Sequence, residues 1–324
     1  MWYTLQKGDE IMIKIALLSK WHVHADMYRK EFEENENVQI SAVWDDDKER
    51  GGKWAKELNV PFYEDYDELL KTDIDAVSVA TSTNLHKEII IKAAKAKKHI
   101  FTEKVLCFTE SDAKEVKEAV LANGVKFTIS FPHKTRPAVL KAKEIKDSGE
   151  LGEITYMRVR NVHGGSIAGW LPEFFYDRKK CGGGAMMDLG AHPMYLLNWF
   201  MGEPETVKSA FTTVTEKPVE DNAVSILSYK NGAIGVSETG FVSFCDPYVI
   251  EISGTKGYLR ITADELFVKT EKTNKEWQKE ENLPMAGIMP TESFVSDILN
   301  NTQNPIYDIE NAVKLSATME KAYK

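Results

Sequence analysis

Two pairs of side chains in the sequence have the types and spacing for acid–base or metal chemistry. Asp188 and His192 are four residues apart, which places both side chains on one face if the segment is helical. Imidazole titrates near neutral pH, so His192 could take a proton from a substrate hydroxyl while Asp188 orients the ring or binds the substrate. His22 and His24 could ligate a metal, but no acidic or cysteine partner stands at a recognisable spacing. We therefore predict no metal site and expect these histidines to contact phosphate or substrate, or to be structural.

The elements that would position these residues begin with alternating strands and helices. Strands alternating with helices predict right-handed crossovers and a parallel sheet covered on both faces. Short apolar runs that predict buried strands of such a sheet occur at 12–19, 38–44, 60–63, 76–80, 99–102 and 125–131, with helical segments between them.

The second of these strands ends in an acid at a spacing typical of a dinucleotide site. Asp45 lies 21 residues after His24, where a carboxylate accepts hydrogen bonds from ribose hydroxyls and repels a 2′-phosphate, which favours NAD over NADP. The alternative is a capping acid after a strand. Ser19, Trp21 and His24 stand where the glycine-rich turn would have glycines. The following helix N-terminus can still bind a phosphate, although Trp21 must turn away or push the pyrophosphate outward.

After Pro132 the pattern changes to alternating strands joined by glycine-containing turns, which predicts a mainly antiparallel sheet with one solvated or interface face. We predict a helix over Met186–Phe200 and another over Ile309–Tyr323. The expected fold class is a doubly wound Rossmann sheet followed by an open antiparallel sheet flanked by helices. The domains would span 12–133, for dinucleotide binding, and 134–324, for substrate binding and oligomerisation, with the last helix free to pack back on the first domain.

Composition narrows the function classes. The chain has 324 residues, 43% hydrophobic and 28% charged, with a net charge of -9, which argues against nucleic acid as the main partner. No apolar run is long enough to cross a bilayer, and three widely spaced cysteines form neither a disulfide framework nor a zinc ligand set. We expect a cytoplasmic protein. Residues 1–11 do not resemble a secretory signal, and we expect Met12 to be the true start.

Several motifs together resemble one enzyme family. ATSTNLH (80–86) resembles a turn beside the nicotinamide ribose, with Ser82 in place of proline, and HIFTEKV (99–105) resembles an E-K-P segment with Val105 in place of proline. GELGEI (149–154), CGGGAMMDLGAHPMYLLNWFMGEP (181–204) and ISGTKGYL (252–259) are similar to later motifs. These features are those of the glucose–fructose oxidoreductase / inositol dehydrogenase / MocA family of NAD(P)-dependent sugar and polyol dehydrogenases, and the resemblance runs from Met12 to the C-terminus.

The resemblance implies a catalytic set of Lys104, Asp188 and His192. Lys104 would stabilise alkoxide character on the reacting oxygen. A Lys-Val peptide disfavours the cis form that X-Pro accepts, so either the turn is trans or Lys104 is displaced. Tyr195 stands where the family has an aspartate three residues after the histidine. The predicted contacts to the cofactor are Ser19, Trp21, His22, His24, Asp45, Thr81, Asn84, His86 and Glu103.

A second group of residues could bind substrate. His133 and Arg136 lie where the chain leaves the first domain, although Arg136 could simply pair with a surface acid. His163, Trp170 and Tyr176 precede the glycines and could form a pocket wall, although aromatic residues there are more often core. Tyr195 completes this group.

The leading functional hypothesis is an NAD-dependent dehydrogenase of a sugar, polyol or related hydroxy compound that forms a homodimer or homotetramer. One alternative is reduction of an imine or a tetrapyrrole-like substrate on the same fold. Another is a non-catalytic sensor that binds a dinucleotide or sugar and signals to a partner. The missing glycines, Val105 and Tyr195 favour the sensor, and the Asp188/His192 pair opposes it.

Overall fold

The first domain is built on a six-stranded parallel sheet. The computed structural model describes residues 12–244 and 248–324, so the predicted extension over 1–11 and Cys245 lie outside the described residues. The strand order β3-β2-β1-β4-β5-β6 is that of a doubly wound Rossmann sheet and confirms the predicted fold class. The strands are β1 (Ile13–Leu18), β2 (Val38–Trp44), β3 (Phe62–Tyr63), β4 (Ala76–Val79), β5 (His99–Thr102) and β6 (Phe127–Ile129).

Helices cover both faces of this sheet, and their ends follow capping rules. The helix that follows β2 begins after Asp47, whose side chain accepts from the N–H groups of Glu49 and Arg50, and ends at Asn59 in the left-handed region. The helix that follows β5 begins after Thr109 and ends at Gly124 with φ +65°. The helices of this domain are α1 (Ala25–Glu33), α2 (Lys48–Leu58), α3 (Tyr66–Leu70), α4 (Thr83–Lys95) and α5 (Glu110–Asn123).

The second domain carries an eight-stranded sheet in the order β14-β13-β12-β11-β7-β10-β9-β8. β7 pairs with β10 in parallel, and the other pairings that the structure describes are antiparallel, so the predicted mainly antiparallel sheet is confirmed. The strands are β7 (Ile154–Val162), β8 (Thr206–Thr212), β9 (Asn222–Ser228), β10 (Ile234–Gly240), β11 (Val249–Gly254), β12 (Gly257–Thr262), β13 (Glu265–Thr270) and β14 (Gln278–Lys279).

Helices connect the two domains. The 3-10 helix Pro132–Thr135 lies at the predicted junction, and Phe294 of a late helix packs with Phe32 and Phe101 of the first domain. The final helix also contacts that domain, because Ser316 accepts from the Cys107 N–H at 3.2 Å. These helices are α6 (Pro137–Asp147), α7 (Gly165–Ala168), α8 (Arg178–Cys181), α9 (Ala191–Met201), α10 (Pro290–Leu299) and α11 (Ile309–Ala322).

Some element boundaries differ from those predicted. α9 begins at Ala191 instead of the predicted Met186. The strands β13 and β14 and the helix α10 were not predicted. Within the described ranges, no helix combines the length and apolarity that a membrane span requires.

Candidate active site

A buried ion pair joins the two domains at the carboxyl edge of the parallel sheet. Lys104 follows β5, and its Nζ donates to Asp188 Oδ1 at 2.6 Å and to the Asp188 carbonyl at 3.0 Å. The two residues are 84 positions apart in the chain. The Lys104 side chain is 2% exposed and that of Asp188 is 22% exposed. The Lys104–Val105 peptide is cis, so the trans alternative for this turn does not hold.

Asp188 lies before α9, in a turn, and the expectation that it shares a helix with His192 is wrong. The Asp188 N–H donates to the Gly184 carbonyl at 3.0 Å, and Gly190 precedes the helix. A Cβ on Gly184 would stand 2.0 Å from the Glu220 carbonyl, so only glycine permits this close approach. The helix therefore begins only after Gly190, and Asp188 lies before it, directed at Lys104 of the first domain.

Both members of the ion pair stay charged. Burial alone would lower the pKa of Lys104, but the carboxylates of Asp188 and Glu103 outweigh it, and the pKa is raised. Burial alone would raise the pKa of Asp188, but Lys104 and His22 hold it well below its usual range. An ammonium held this way at the strand ends is positioned to interact with a negatively charged oxygen.

His192, in the first turn of α9, forms a stacked pair with His133. The two rings lie 4.3 Å apart with an interplanar angle of 16°. His192 Nδ1 is 3.0 Å from the Tyr195 hydroxyl, which also accepts from the His133 N–H at 3.0 Å. Burial, and then the neighbouring His133, hold the pKa of His192 well below 6.5. Burial lowers the pKa of His133 to about 3. Both imidazoles are therefore neutral at physiological pH, and His192 can accept a proton.

A second group of polar side chains adjoins the ion pair. Glu103 Oε2 lies 3.1 Å from His24 Nδ1 and 3.8 Å from His22 Nδ1, and it accepts a hydrogen bond from Tyr28. One potential ligand atom from each of the two histidines and Glu103 lies within 4.8 Å of the other two. Burial alone would raise the pKa of Glu103, but His22, His24 and Lys104 lower it well below its usual range. The glutamate is therefore ionised.

The buried polar atoms at the carboxyl edge of the parallel sheet suit a nicotinamide nucleotide, but the cleft beside them has little free volume. In the part of the chain that the structure describes, the buried Thr81 Oγ1 and Glu103 Oε1 have no hydrogen-bond partner, which is expected where a ligand supplies the missing bonds. Trp21 stacks on Phe175 at 5.3 Å and 8°. The cavity between this stack and Lys104 measures about 20 Å³, which is room for a water molecule only. A nicotinamide ring therefore requires the aromatic stack to move.

The Asp45 carboxylate, which follows β2, has hydrogen-bond partners within the protein on both oxygens. Asp45 Oδ2 accepts from the Lys20 N–H and from Arg50 Nε, both at 2.9 Å, and Oδ1 accepts from Ser19 Oγ at 3.1 Å and from Arg50. The Asp45 side chain is 0% exposed. Ser19 adopts φ +70°, the left-handed conformation that glycine would favour at this turn. Both Asp45 oxygens already accept hydrogen bonds from these partners. The contact of Asp45 with a ribose stays a prediction.

Sequence comparisons identify the family. The sequence model for the oxidoreductase family with an NAD-binding Rossmann fold matches residues 21–131, and that for the GFO/IDH/MocA C-terminal domain matches 139–260. Together these ranges take in more than half of the chain. The chain belongs to the GFO/IDH/MocA oxidoreductase family. The family expected from the motifs, its oxidoreductase class and its NAD-binding domain are thereby confirmed.

Individual relatives are distant. A myo-inositol 2-dehydrogenase of Thermotoga maritima is 31% identical over 211 residues, which cover 62% of this chain and 60% of that protein. An uncharacterized oxidoreductase of Bacillus subtilis is 29% identical over 232 residues, covering 68% and 65%. The chain thus matches less than two thirds of the length of these two relatives. A levoglucosan dehydrogenase structure in complex with NADH and levoglucosan superposes with a TM-score of 0.82 at 19% identity, covering 96% of each chain, and shows the shared fold.

The remaining predicted residues have the following surroundings. His86 is buried, with Nδ1 2.9 Å from the Val105 carbonyl and Nε2 3.2 Å from the Thr81 carbonyl, while Asn84 is exposed on α4. Arg136 pairs with Asp264 at 2.9 Å, as its alternative interpretation expected. His163 stacks on Phe241 and contacts Trp170, and the Tyr176 hydroxyl bonds to Ser166 at 2.8 Å.

Four residues that contact predicted site residues were not predicted from the sequence. Phe174 and Phe175 pack on Trp21, at centroid distances of 5.2 and 5.3 Å, and close the cleft. Tyr28 reaches Glu103 from α1; its position four residues after His24 could have placed it on the same helix face. Arg50, five residues after Asp45, has no comparable signal, because surface arginines are common in helices.

Proposed function

We propose that the protein interconverts a secondary alcohol and a ketone of a sugar, polyol or related hydroxy compound, with NAD rather than NADP as the hydride partner. The observation that carries the proposal is the buried Lys104–Asp188 pair, which joins the two domains beside the strand edge with a bond of 2.6 Å. A nicotinamide, when bound, would accept hydride from the carbinol carbon. The proton acceptor and the group that stabilises the reacting oxygen would be side chains of this protein.

In the oxidation direction the hydroxyl proton leaves as the carbonyl double bond forms. We assign this proton to His192 Nε2. The tautomer with a proton on Nδ1 donates to the Tyr195 oxygen at 3.0 Å and leaves Nε2 unprotonated. The lowered pKa of His192, caused by burial and His133, keeps the ring neutral and Nε2 free of a proton.

Lys104 would stabilise the oxygen as negative charge develops on it. The ammonium is buried, and its charge is maintained by Asp188 and Glu103, so its field is screened little by water. Asp188 would hold Lys104 in place and accept from a neighbouring substrate hydroxyl, which its 22% exposure permits. The proposed nucleotide contacts remain those predicted from sequence, with Thr81 and Glu103 supported by their unpaired buried oxygens.

The test is nicotinamide reduction with a panel of sugars and polyols, followed by the His192→Asn variant. We expect turnover with at least one polyol, and a loss of about 10²–10⁴-fold in the variant. His99→Asn is the matched control, because His99 lies on β5, where its Nδ1 accepts from the Lys126 N–H. NAD binding without turnover across the panel would favour the sensor hypothesis, and full activity of His192→Asn would remove His192 from the reaction.

A further inference from the structure

We propose that His22, His24 and Glu103 bind one divalent transition-metal ion of the zinc class, beside the Lys104–Asp188 pair. The ligand atoms of these three residues lie within 4.8 Å of one another. The sequence alone predicted no metal here, because His24 and Glu103 are 79 positions apart and no spacing rule connects them. Folding brings the carboxylate at the end of β5 to the histidines that precede α1.

Two of the three ligand–ligand distances are close to those expected around one ion, and the third is within 4.8 Å. Zinc–nitrogen bonds are about 2.0–2.1 Å, so neighbouring ligand atoms in a tetrahedral shell stand about 3.4 Å apart. Glu103 Oε2 lies 3.1 Å from His24 Nδ1 and 3.8 Å from His22 Nδ1, on either side of that value. Two imidazoles and one carboxylate suit zinc, cobalt or nickel, whereas magnesium and calcium prefer oxygen ligands.

The charge around the cluster favours a cation. Glu103 is 1% exposed, and among the described residues its Oε1 has no hydrogen-bond partner. Lys104 lies 3.7 Å from Oε1 but 2.6 Å from Asp188, so one ammonium serves two buried carboxylates. Two carboxylates therefore share one ammonium, and an ion on the Oε2 side would add positive charge without displacing Lys104.

The surroundings supply the outer contacts that metal ligands commonly have. His22 Nε2 lies 3.6 Å from Asp188 Oδ1, so a carboxylate faces the nitrogen opposite the one turned to Glu103. Tyr28 donates to Glu103 and fixes its orientation. His22 Nδ1 also accepts from the His24 N–H at 3.2 Å, and this contact would be given up on metal binding.

The cluster is open on one side. The His24 side chain is 32% exposed, whereas those of His22 and Glu103 are buried. An ion held by three protein ligands would keep a fourth position for water or for an oxygen of a ligand in the cleft, which is the arrangement of catalytic and not of structural zinc sites.

The test uses the full chain stripped with a chelator and titrated with zinc by calorimetry and with cobalt by absorption spectroscopy, without nucleotide or substrate. We expect one ion per chain with a dissociation constant of about 1 µM or tighter. We expect no binding of magnesium in the same range. The His24→Gln variant, changed at the most exposed ligand, should weaken zinc binding at least about tenfold.

His99→Gln is the matched control, and it should bind zinc as the unchanged protein does. Chelated His24→Gln should unfold at the temperature of the chelated wild type, which separates loss of a ligand from loss of the fold. If that variant does not fold, Glu103→Gln and the wild-type cobalt spectrum decide between bound and free ion. Binding weaker than about 100 µM, or equal affinity in wild type and His24→Gln, overturns the proposal. These readouts are independent of dehydrogenase activity.

Discussion

The nucleotide-binding edge of the parallel sheet has two halves, a first at the end of β2 and a second at the ends of β4 and β5. They differ in how their buried side-chain oxygens are hydrogen-bonded. At the end of β2, the buried carboxylate of Asp45 has partners on both oxygens, including Arg50 and the Lys20 N–H. At the ends of β4 and β5, the buried Thr81 Oγ1 and Glu103 Oε1 have no hydrogen-bond partner among the described residues, although Lys104 Nζ lies 3.7 Å from Oε1. An unpaired buried polar atom costs about 1–3 kcal/mol. The first half is therefore built for stability, and the second keeps bonding capacity for a ligand.

Among the changes that test this contrast, the largest effect is expected from Lys104→Met, in the second half. Removing the ammonium takes away the group proposed to stabilise the developing oxyanion, and kcat/KM should fall about 10²–10³-fold. Steady-state kinetics measure this, with Lys87→Met as control because Lys87 forms a surface pair with Asp112. A variant with normal kinetics would show that the Lys104–Asp188 pair is structural only.

The next largest effect is expected at the end of β2, in the first half, and concerns the free energy of unfolding. Asp45→Asn removes the charge that faces Arg50 and should lower the free energy of unfolding by about 3 kcal/mol. Denaturant unfolding measures this. Asp46→Asn, at a side chain 29% exposed that shares Arg50, should cost less than about 1 kcal/mol. If Asp45→Asn leaves stability unchanged but shifts preference toward NADP, the ribose contact is its main role and the contrast between the halves fails.

A smaller effect concerns acid stability. In the unfolded chain His133 takes up a proton near pH 6.5, whereas burial lowers its pKa in the fold to about 3. Stability should therefore fall as the pH drops from 6.5 toward 3. His133→Asn removes this proton uptake and should move the acid-unfolding midpoint down by about half a pH unit, followed by circular dichroism. An unchanged midpoint would locate acid sensitivity elsewhere.

The smallest effect is expected from Tyr195→Phe. Its hydroxyl lies 3.0 Å from His192 Nδ1 and positions that ring, so its loss should lower kcat about tenfold with little change in KM. The pH profile of kcat should also shift, which a purely structural role would not cause. Tyr307→Phe, which loses a bond to the Ile288 carbonyl, is the control. Equal kinetics for Tyr195→Phe and wild type would contradict the positioning role.

Much of the fold could be predicted from the sequence because its signals are local. Continuous apolar runs such as Ile13–Leu18 fix buried parallel strands, and the caps at Asp47 and Thr109 fix helix starts. The helix boundary before His192 could not be predicted, because Gly184 and Gly190 act through contacts with distant or non-adjacent backbone atoms. The strand β13 was missed although its residues alternate in burial, and β14 has only two residues.

By itself the sequence determined the fold class, the family and the identity of Lys104, Asp188 and His192 as candidates. Only the tertiary structure joined Lys104 to Asp188 across 84 positions, filled the first turn with Trp21 against Phe175, and added Glu103 to the two histidines. The reason is physical: apolar periodicity and capping act over a few residues along the chain, whereas ion pairs, ring stacks and ligand clusters depend on distances that exist only once the domains have packed.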